Sequence, residues 1–216
     1  MSELLTIVLA SENEGKLAEL RALLADLPVQ FVTSHEVLAE KLSIVEDGVT
    51  FEDNATIKAK AVSRATRSLA LADDSGLEVH TLGGRPGVRS ARFAHERATD
   101  AENNAALLRE LESIEEGGRG ARFRCVLALV DPWRDSEVHT VEGICDGSIA
   151  RTPRGNGGFG YDPLFVVDGH DGRAMAELSE LEKNGISHRA RAVTALRPIL
   201  VRLINQRLDE AERVLG

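Results

Sequence analysis

The sequence predicts an α/β chain on two observations. Short apolar, β-branched runs recur along it, and between them lie segments whose apolar residues repeat every three to four positions. Its 43% hydrophobic and 28% charged content is that of an ordinary soluble globular protein. A length of 216 residues suits one large domain or two small ones. With no internal repeat and no low-complexity linker, a single domain over 1–216 is expected.

The elements follow in order. Leu4–Ala10 reads as a buried strand by length and β-branching. Ser11–Lys16 leads into a helix carrying Leu17, Leu20, Leu23, Leu24 and Leu27, and Ser11-x-x-Glu14 has the form of a capping box. Lys16 falls in the first turn, where a cation opposes the helix dipole and a bound anion would offset that. Gly15-Lys16 looks like the end of a Walker A loop, but Ala10 and Leu17 stand where Gly and Ser or Thr are needed, so a P-loop is excluded. Val29–Thr33 is a second strand. Phe51–Arg67 reads as a helix with Asp53 as N-cap and Ile57, Ala61, Val62 and Ala65 facing inward. A third strand is expected to end at Asp73, followed by a Gly/Pro loop at Leu82–Gly87. Thr99–Ile114 is an amphipathic helix capped by Thr99. Arg122–Val130 and Glu137–Ile149 read as strands joined by a turn at Asp131–Asp135. Pro153–Asp162 is a glycine-rich loop before a short strand at Leu164–Val167. A helix from Ser187 to Leu215, kinked or interrupted at Pro198, closes the chain.

Residues 71–76, Leu-Ala-Asp-Asp-Ser-Gly, end an apolar run in two carboxylates. One reading is a turn, since Asp, Ser and Gly all form turns. The other is a site for a divalent cation, because Mg²⁺ takes one or two carboxylates plus substrate phosphates and uncompensated charge beside a core is costly. The acidic balance, a net charge of −9, excludes nucleic acid as a partner. It does not exclude a polyphosphate, whose field a bound cation and a few local lysines can compensate. No apolar stretch approaches the ~20 residues that cross a bilayer, so no membrane partner is expected. The first residues lack a signal peptide's basic start and apolar core, and Cys125 and Cys145 read as buried thiols, so the expected location is cytoplasmic.

Residues 155–160 match G-x-G-x-x-G, but a strand rather than a helix follows, which excludes a dinucleotide fold. The loop presents Phe159 and Tyr161 among glycines, where a flat base could stack. The run from Glu182 to Arg191 packs cations and His188 around a helix start at Ser187, either as a solvated basic face or as a site.

Five segments together resemble the inosine/xanthosine triphosphate pyrophosphatases, which hydrolyse deaminated purine nucleoside triphosphates. They are Ser11–Lys16 with Glu19, Phe51–Lys58, Ala72–Leu77 with Gly83–Arg92, Gly158–Phe165 and Leu181–Arg189, in the family's order. The resemblance implies an elongated mixed central sheet flanked by helices, two lobes with an active-site cleft between them, a homodimer and dependence on Mg²⁺. It places phosphate binding on Ser11, Asn13 and Lys16, and the catalytic carboxylate and metal ligand on Asp74, with Ser75 contacting substrate. The base pocket falls on Phe159, Gly160, Tyr161, Asp162, Lys183, His188 and Arg189. Where many relatives carry Glu as a second metal ligand, this chain has Asp53 after Glu52. Either the helix sits closer to the metal, or Glu52 or a water takes that place. The implied reaction splits ITP, dITP or XTP into monophosphate and pyrophosphate, clearing them from the nucleotide pool. A pyrophosphatase for modified pyrimidine nucleotides and a non-catalytic nucleotide sensor are the alternatives. A sensor has no need of Asp74.

Overall fold

The computed structural model describes residues 5–134 and 137–215. The strands are β1 (Leu5–Ala10), β2 (Val29–Thr33), β3 (Leu69–Val79), β4 (Gly120–Asp131), β5 (Glu137–Ile149) and β6 (Phe165–Val167). The helices are α1 (Glu14–Leu23), α2 (Ser34–Val37), α3 (Phe51–Thr66), α4 (Asp100–Glu110), α5 (Glu180–Ile186) and α6 (His188–Leu215). Position 4 of the first expected strand and position 135 of the expected turn lie outside the described residues.

The strands form one mixed sheet in the order β2-β1-β3-β4-β5-β6. β1 pairs in parallel with β2 and β3, and β5 pairs antiparallel with β6. β3 is buried without interruption from Leu69 to Asp74, as expected of a strand covered on both faces. From Gly143 to Ile149, β5 alternates buried with more exposed positions, the signature of one packed face. The expected end of β3 at Asp73 is corrected: the strand runs on to Val79, so Asp73, Asp74, Ser75 and Gly76 lie inside it and form no turn. Gly76 fits there because Ser90 crosses it. A Cβ at Gly76 would sit 2.3 Å from Ser90 Oγ, which accepts a hydrogen bond from the Leu77 N–H.

Three helix expectations change. Asn13, not Ser11, caps α1: its side chain accepts from the Lys16 N–H, while Ser11 Oγ accepts from the Asn13 N–H. Thr50, not Asp53, caps α3, and Asp53 is the acidic partner three residues on, closing a capping box. The inner face of α3 is Phe51, Asn54, Ala55, Lys58, Ala59, Val62 and Ser63, whereas Ala65 is exposed. α6 runs through Pro198 without a break. Ser187 does start α6 as expected, its hydroxyl accepting from the Ala190 N–H.

The chain divides into two compact units. The first comprises 1–74, 126–142 and 192–216, and its buried residues include Ile7, Leu9, Leu20, Leu71, Leu127 and Leu196. The second comprises 75–125 and 143–191, with a core of Leu77, Leu107, Leu111, Phe123, Tyr161, Phe165 and Met175 among others. In this second unit the buried Arg119 guanidinium donates to the carbonyls of Leu111, Ile149 and Ala150, tying the end of α4 to the end of β5. Cys125 and Cys145 are free and buried, as expected. Among the described residues no helix is long and apolar enough to cross a membrane.

Candidate active site

In the first unit, chemistry collects around the acidic stretch of β3. The register Ala10↔Ala72 sets the loop that follows β1 beside Asp73. Lys16 Nζ then meets Asp73 Oδ1 at 2.7 Å, with the Asp73 side chain fully buried. Lys58, on the inner stripe of α3, places its Nζ 2.7 Å from Asp74 Oδ1 and 2.9 Å from Glu46 Oε2. Burial works against a charged Lys58, but the carboxylates of Asp74 and Glu46 outweigh it and hold its pKa above the ordinary value. Burial pushes the Asp74 carboxyl up, against the pull of Lys58 and Lys16. Asp74 Oδ2 is buried and has no hydrogen-bond partner among the described residues. A buried carboxylate oxygen left unsatisfied is expensive unless a cation or a water completes it.

The carboxylates expected as second ligands are engaged elsewhere. Asp53 Oδ2 accepts from both the N–H and the hydroxyl of Thr50. Glu52 Oε1 accepts from the Thr140 hydroxyl. The acid that does stand with Asp74 is Glu46, bridged to it by Lys58. Sequence reading missed Glu46 because a carboxylate in an irregular segment carries no pattern. Lys58 left a trace, a lysine at helical spacing from Asn54 and Val62 on a buried stripe.

In the second unit, Ser75 accepts a hydrogen bond from Arg189 Nη2 at 2.9 Å. The buried Arg189 guanidinium carbon lies 5.8 Å from the Phe159 ring centroid, within cation–π range. Phe159 is half-buried. The glycine loop closes on a buried ion pair, Lys183 Nζ to Asp162 Oδ2 at 3.0 Å, and the Phe159 N–H donates to the same oxygen at 3.3 Å. Gly158, with φ +75°, must lack a side chain: a Cβ would fall 1.9 Å from Asp162 Oδ2 and 2.4 Å from Lys183 Nζ. His188 stacks on Phe123, ring centroids 4.8 Å apart. Gly160 donates its N–H to Asp100 and accepts at its carbonyl from Asn104. Tyr161, expected beside the base, is a core residue whose hydroxyl donates to the Ser90 carbonyl at 2.9 Å. Burial raises its pKa, so the hydroxyl stays protonated.

A family model for the Ham1 family matches residues 7–199. The chain belongs to the Ham1 family. Relatives from Geobacillus kaustophilus and Desulforamulus reducens are both named dITP/XTP pyrophosphatase. The first is 50% identical over 190 residues, 88% of this chain and 91% of the relative. The second is 49% identical over 197 residues, 91% of this chain and 96% of the relative. The solved structure of a HAM1 protein from Coxiella burnetii superposes with a TM-score of 0.82 at 45% identity, covering 92% of this chain and 99% of that one. The mixed sheet with flanking helices is thus the Ham1 fold, and the family resemblance read from the five segments holds.

Proposed function

We propose that this Ham1 chain hydrolyses deaminated purine nucleoside triphosphates (dITP, ITP and XTP) to the monophosphate and pyrophosphate with Mg²⁺, removing them from the nucleotide pool. The observation that carries the proposal is Asp74, a carboxylate buried in mid-strand, held at one oxygen by Lys58 and unpartnered at the other. The names of its relatives support the substrate class.

The residues fit Mg²⁺. Among the described residues no group of three or more His, Cys, Asp or Glu stands ready to cage a metal. That suits a cation that takes one or two carboxylates and fills its remaining positions with water and phosphate oxygens. Asp74 would hold it through Oδ2, with Asp53, whose Oδ2 also serves the α3 cap, or Glu46, whose Oε2 meets Lys58, as the second ligand. When bound, the ion would neutralise charge building on the phosphate oxygens. Lys16, Lys58 and the loop of Ser11 and Asn13 at the start of α1 supply positive charge and donors for the phosphate tail. The Asp74 carboxylate accepts the proton of the attacking water, which adds across the α–β anhydride and releases pyrophosphate. Phe159 offers a stacking face for the base. Lys183, His188 and Arg189 supply donors for a 6-oxo group, which adenine lacks, so a bound adenine would leave buried donors unpaired. The resemblance to the family carries two further parts of the proposal, a homodimer and a cytoplasmic site of action. Sedimentation velocity tests the first.

The deciding experiment measures pyrophosphate release from dITP, XTP, dATP and dGTP, with Mg²⁺ and with chelator. Metal-dependent release from the first two alone is expected. Equal rates on all four would overturn the 6-oxo reading, and undiminished release in chelator would overturn the metal.

A further inference from the structure

Both peptide groups of Gly160, the residue after Phe159, are hydrogen-bonded from α4. We propose that Asp100 and Asn104 are positioning residues for base binding, acting through both peptide groups of Gly160. The proposal rests on the reading of Phe159 as the base-stacking face.

Asp100 is the first residue of α4, and its Oδ2 accepts from the Gly160 N–H at 2.7 Å. Asn104 lies one turn later on the same face, and its Nδ2 donates to the Gly160 carbonyl at 2.8 Å. Gly160 itself sits at φ +60°, with nothing within 4 Å of where a Cβ would point. Crowding at Gly160 itself therefore does not impose this conformation. Two hydrogen bonds from α4 help to hold it, beside the contacts of the Phe159 N–H and Lys183 with Asp162, and they fix the peptide that follows Phe159.

Two further observations separate this grip from ordinary packing. Asn104 Oδ1 is buried with no hydrogen-bond partner among the described residues, so its amide satisfies Gly160 at the expense of its own acceptor. An apolar side chain of similar size would remove that orphan but take the donor from the Gly160 carbonyl. Next to the grip, α4 and the loop flank an open cavity of about 440 Å³, lined by Ala101, Ala105 and Leu108 on one side and Pro153 and Phe159 on the other. With space behind it, the Phe159 ring has somewhere to go if the grip is released. Packing does not hold it against that side, and a loosely seated ring loses part of its stacking with a base.

The test uses the full chain with dITP and Mg²⁺ and compares Asp100→Ala, Asp100→Asn, Asn104→Ala and Phe159→Ala. Asp100→Ala and Asn104→Ala are each expected to raise KM about fivefold, the loss of one net hydrogen bond, with kcat within about twofold. Asp100→Asn keeps an acceptor for the Gly160 N–H and is expected to restore KM to within about twofold of the parent. Misfolding gives the opposite split, since a smaller active fraction lowers apparent kcat and leaves KM alone. That outcome in both alanine variants, or an unchanged KM in both, overturns the grip. Equal KM values for Asp100→Asn and Asp100→Ala overturn it as well. Phe159→Ala separates the two readings. If it raises KM while the α4 variants do not, the grip fails and the stacking face stands. If it leaves KM unchanged, the stacking face fails.

Discussion

Two buried aspartates, Asp74 in the first unit and Asp162 in the second, face the same physical problem and meet it differently. Asp162 Oδ2 receives both the Lys183 ammonium and the Phe159 N–H. Asp74 has Lys58 at Oδ1 and, among the described residues, no hydrogen-bond partner at Oδ2. A carboxylate that gathers a cation and a backbone donor on one oxygen holds a loop in shape. One left open toward a cation and a water is poised for chemistry. Under the proposed function, the contrast would let the same residue type shape the base loop in one unit and serve hydrolysis in the other.

The strongest challenge to the contrast is Asp74→Asn. It keeps the shape and removes the carboxylate, and kcat should fall by ~10³-fold or more, within the range of a lost general base. A steady-state assay retaining a tenth of parental activity would put Asp74 in the same structural role as Asp162. Lys58→Met comes next. It removes the charge that steadies Asp74 and contacts Glu46, and a loss of ~10²-fold in kcat is expected, as for a lost electrostatic contact. The sign of its pH effect follows from Lys58, which pulls the Asp74 carboxyl down against the burial that raises it. The active form is the carboxylate, so activity is lost as pH falls through its pKa. Without Lys58 that loss should move to higher pH in a kcat/KM profile, and an unmoved acid limb would sever Lys58 from Asp74.

Gly158→Ala probes the Asp162 side. Its Cβ would collide with Asp162 and Lys183 at a positive φ, so destabilisation of about 1–3 kcal/mol by denaturant melts is expected. The damage should show as raised KM for dITP, with kcat per folded molecule preserved. A fall in kcat at constant KM would join the two sites functionally. The smallest effect lies away from both. The capping carboxylate of Glu102, bonded to the Thr99 N–H and hydroxyl, is held at a pKa of about 2 against an ordinary 4.5. Its contribution to stability is complete above pH 4.5 and lost as pH falls towards 2. Glu102→Gln should flatten that part of the stability–pH curve, with activity at neutral pH unchanged.

Much of the site was legible because short motifs are local. Asn13 and Lys16 flank a helix start, Asp74 follows an apolar run, and the glycines of 155–160 announce a loop that approaches its neighbours closely. What stayed hidden depends on contacts between distant positions. Glu46 lies in irregular chain, and only the fold brings it to Lys58, twelve residues on. Asp53 reads from the sequence as the helix cap, and the structure gives that place to Thr50, with Asp53 Oδ2 as its capping partner, because an acid in a first turn serves equally in either part. Tyr161 looked like a ligand face, since an aromatic among glycines reads as exposed. It is buried in the core of the second unit, where its hydroxyl reaches the Ser90 carbonyl, some seventy residues earlier.

By itself the sequence determined the six strands, the four longest helices, the caps at Thr99 and Ser187 and the family, because hydrophobic period and capping chemistry act over a few residues. Tertiary structure alone decided that Asp73 and Asp74 sit inside a strand rather than in a turn. It also decided which lysine meets which acid, and that one oxygen of Asp74 stays open. Those outcomes depend on register, burial and the direction of side chains from separate elements, where desolvation makes each charge depend on the partner it finds.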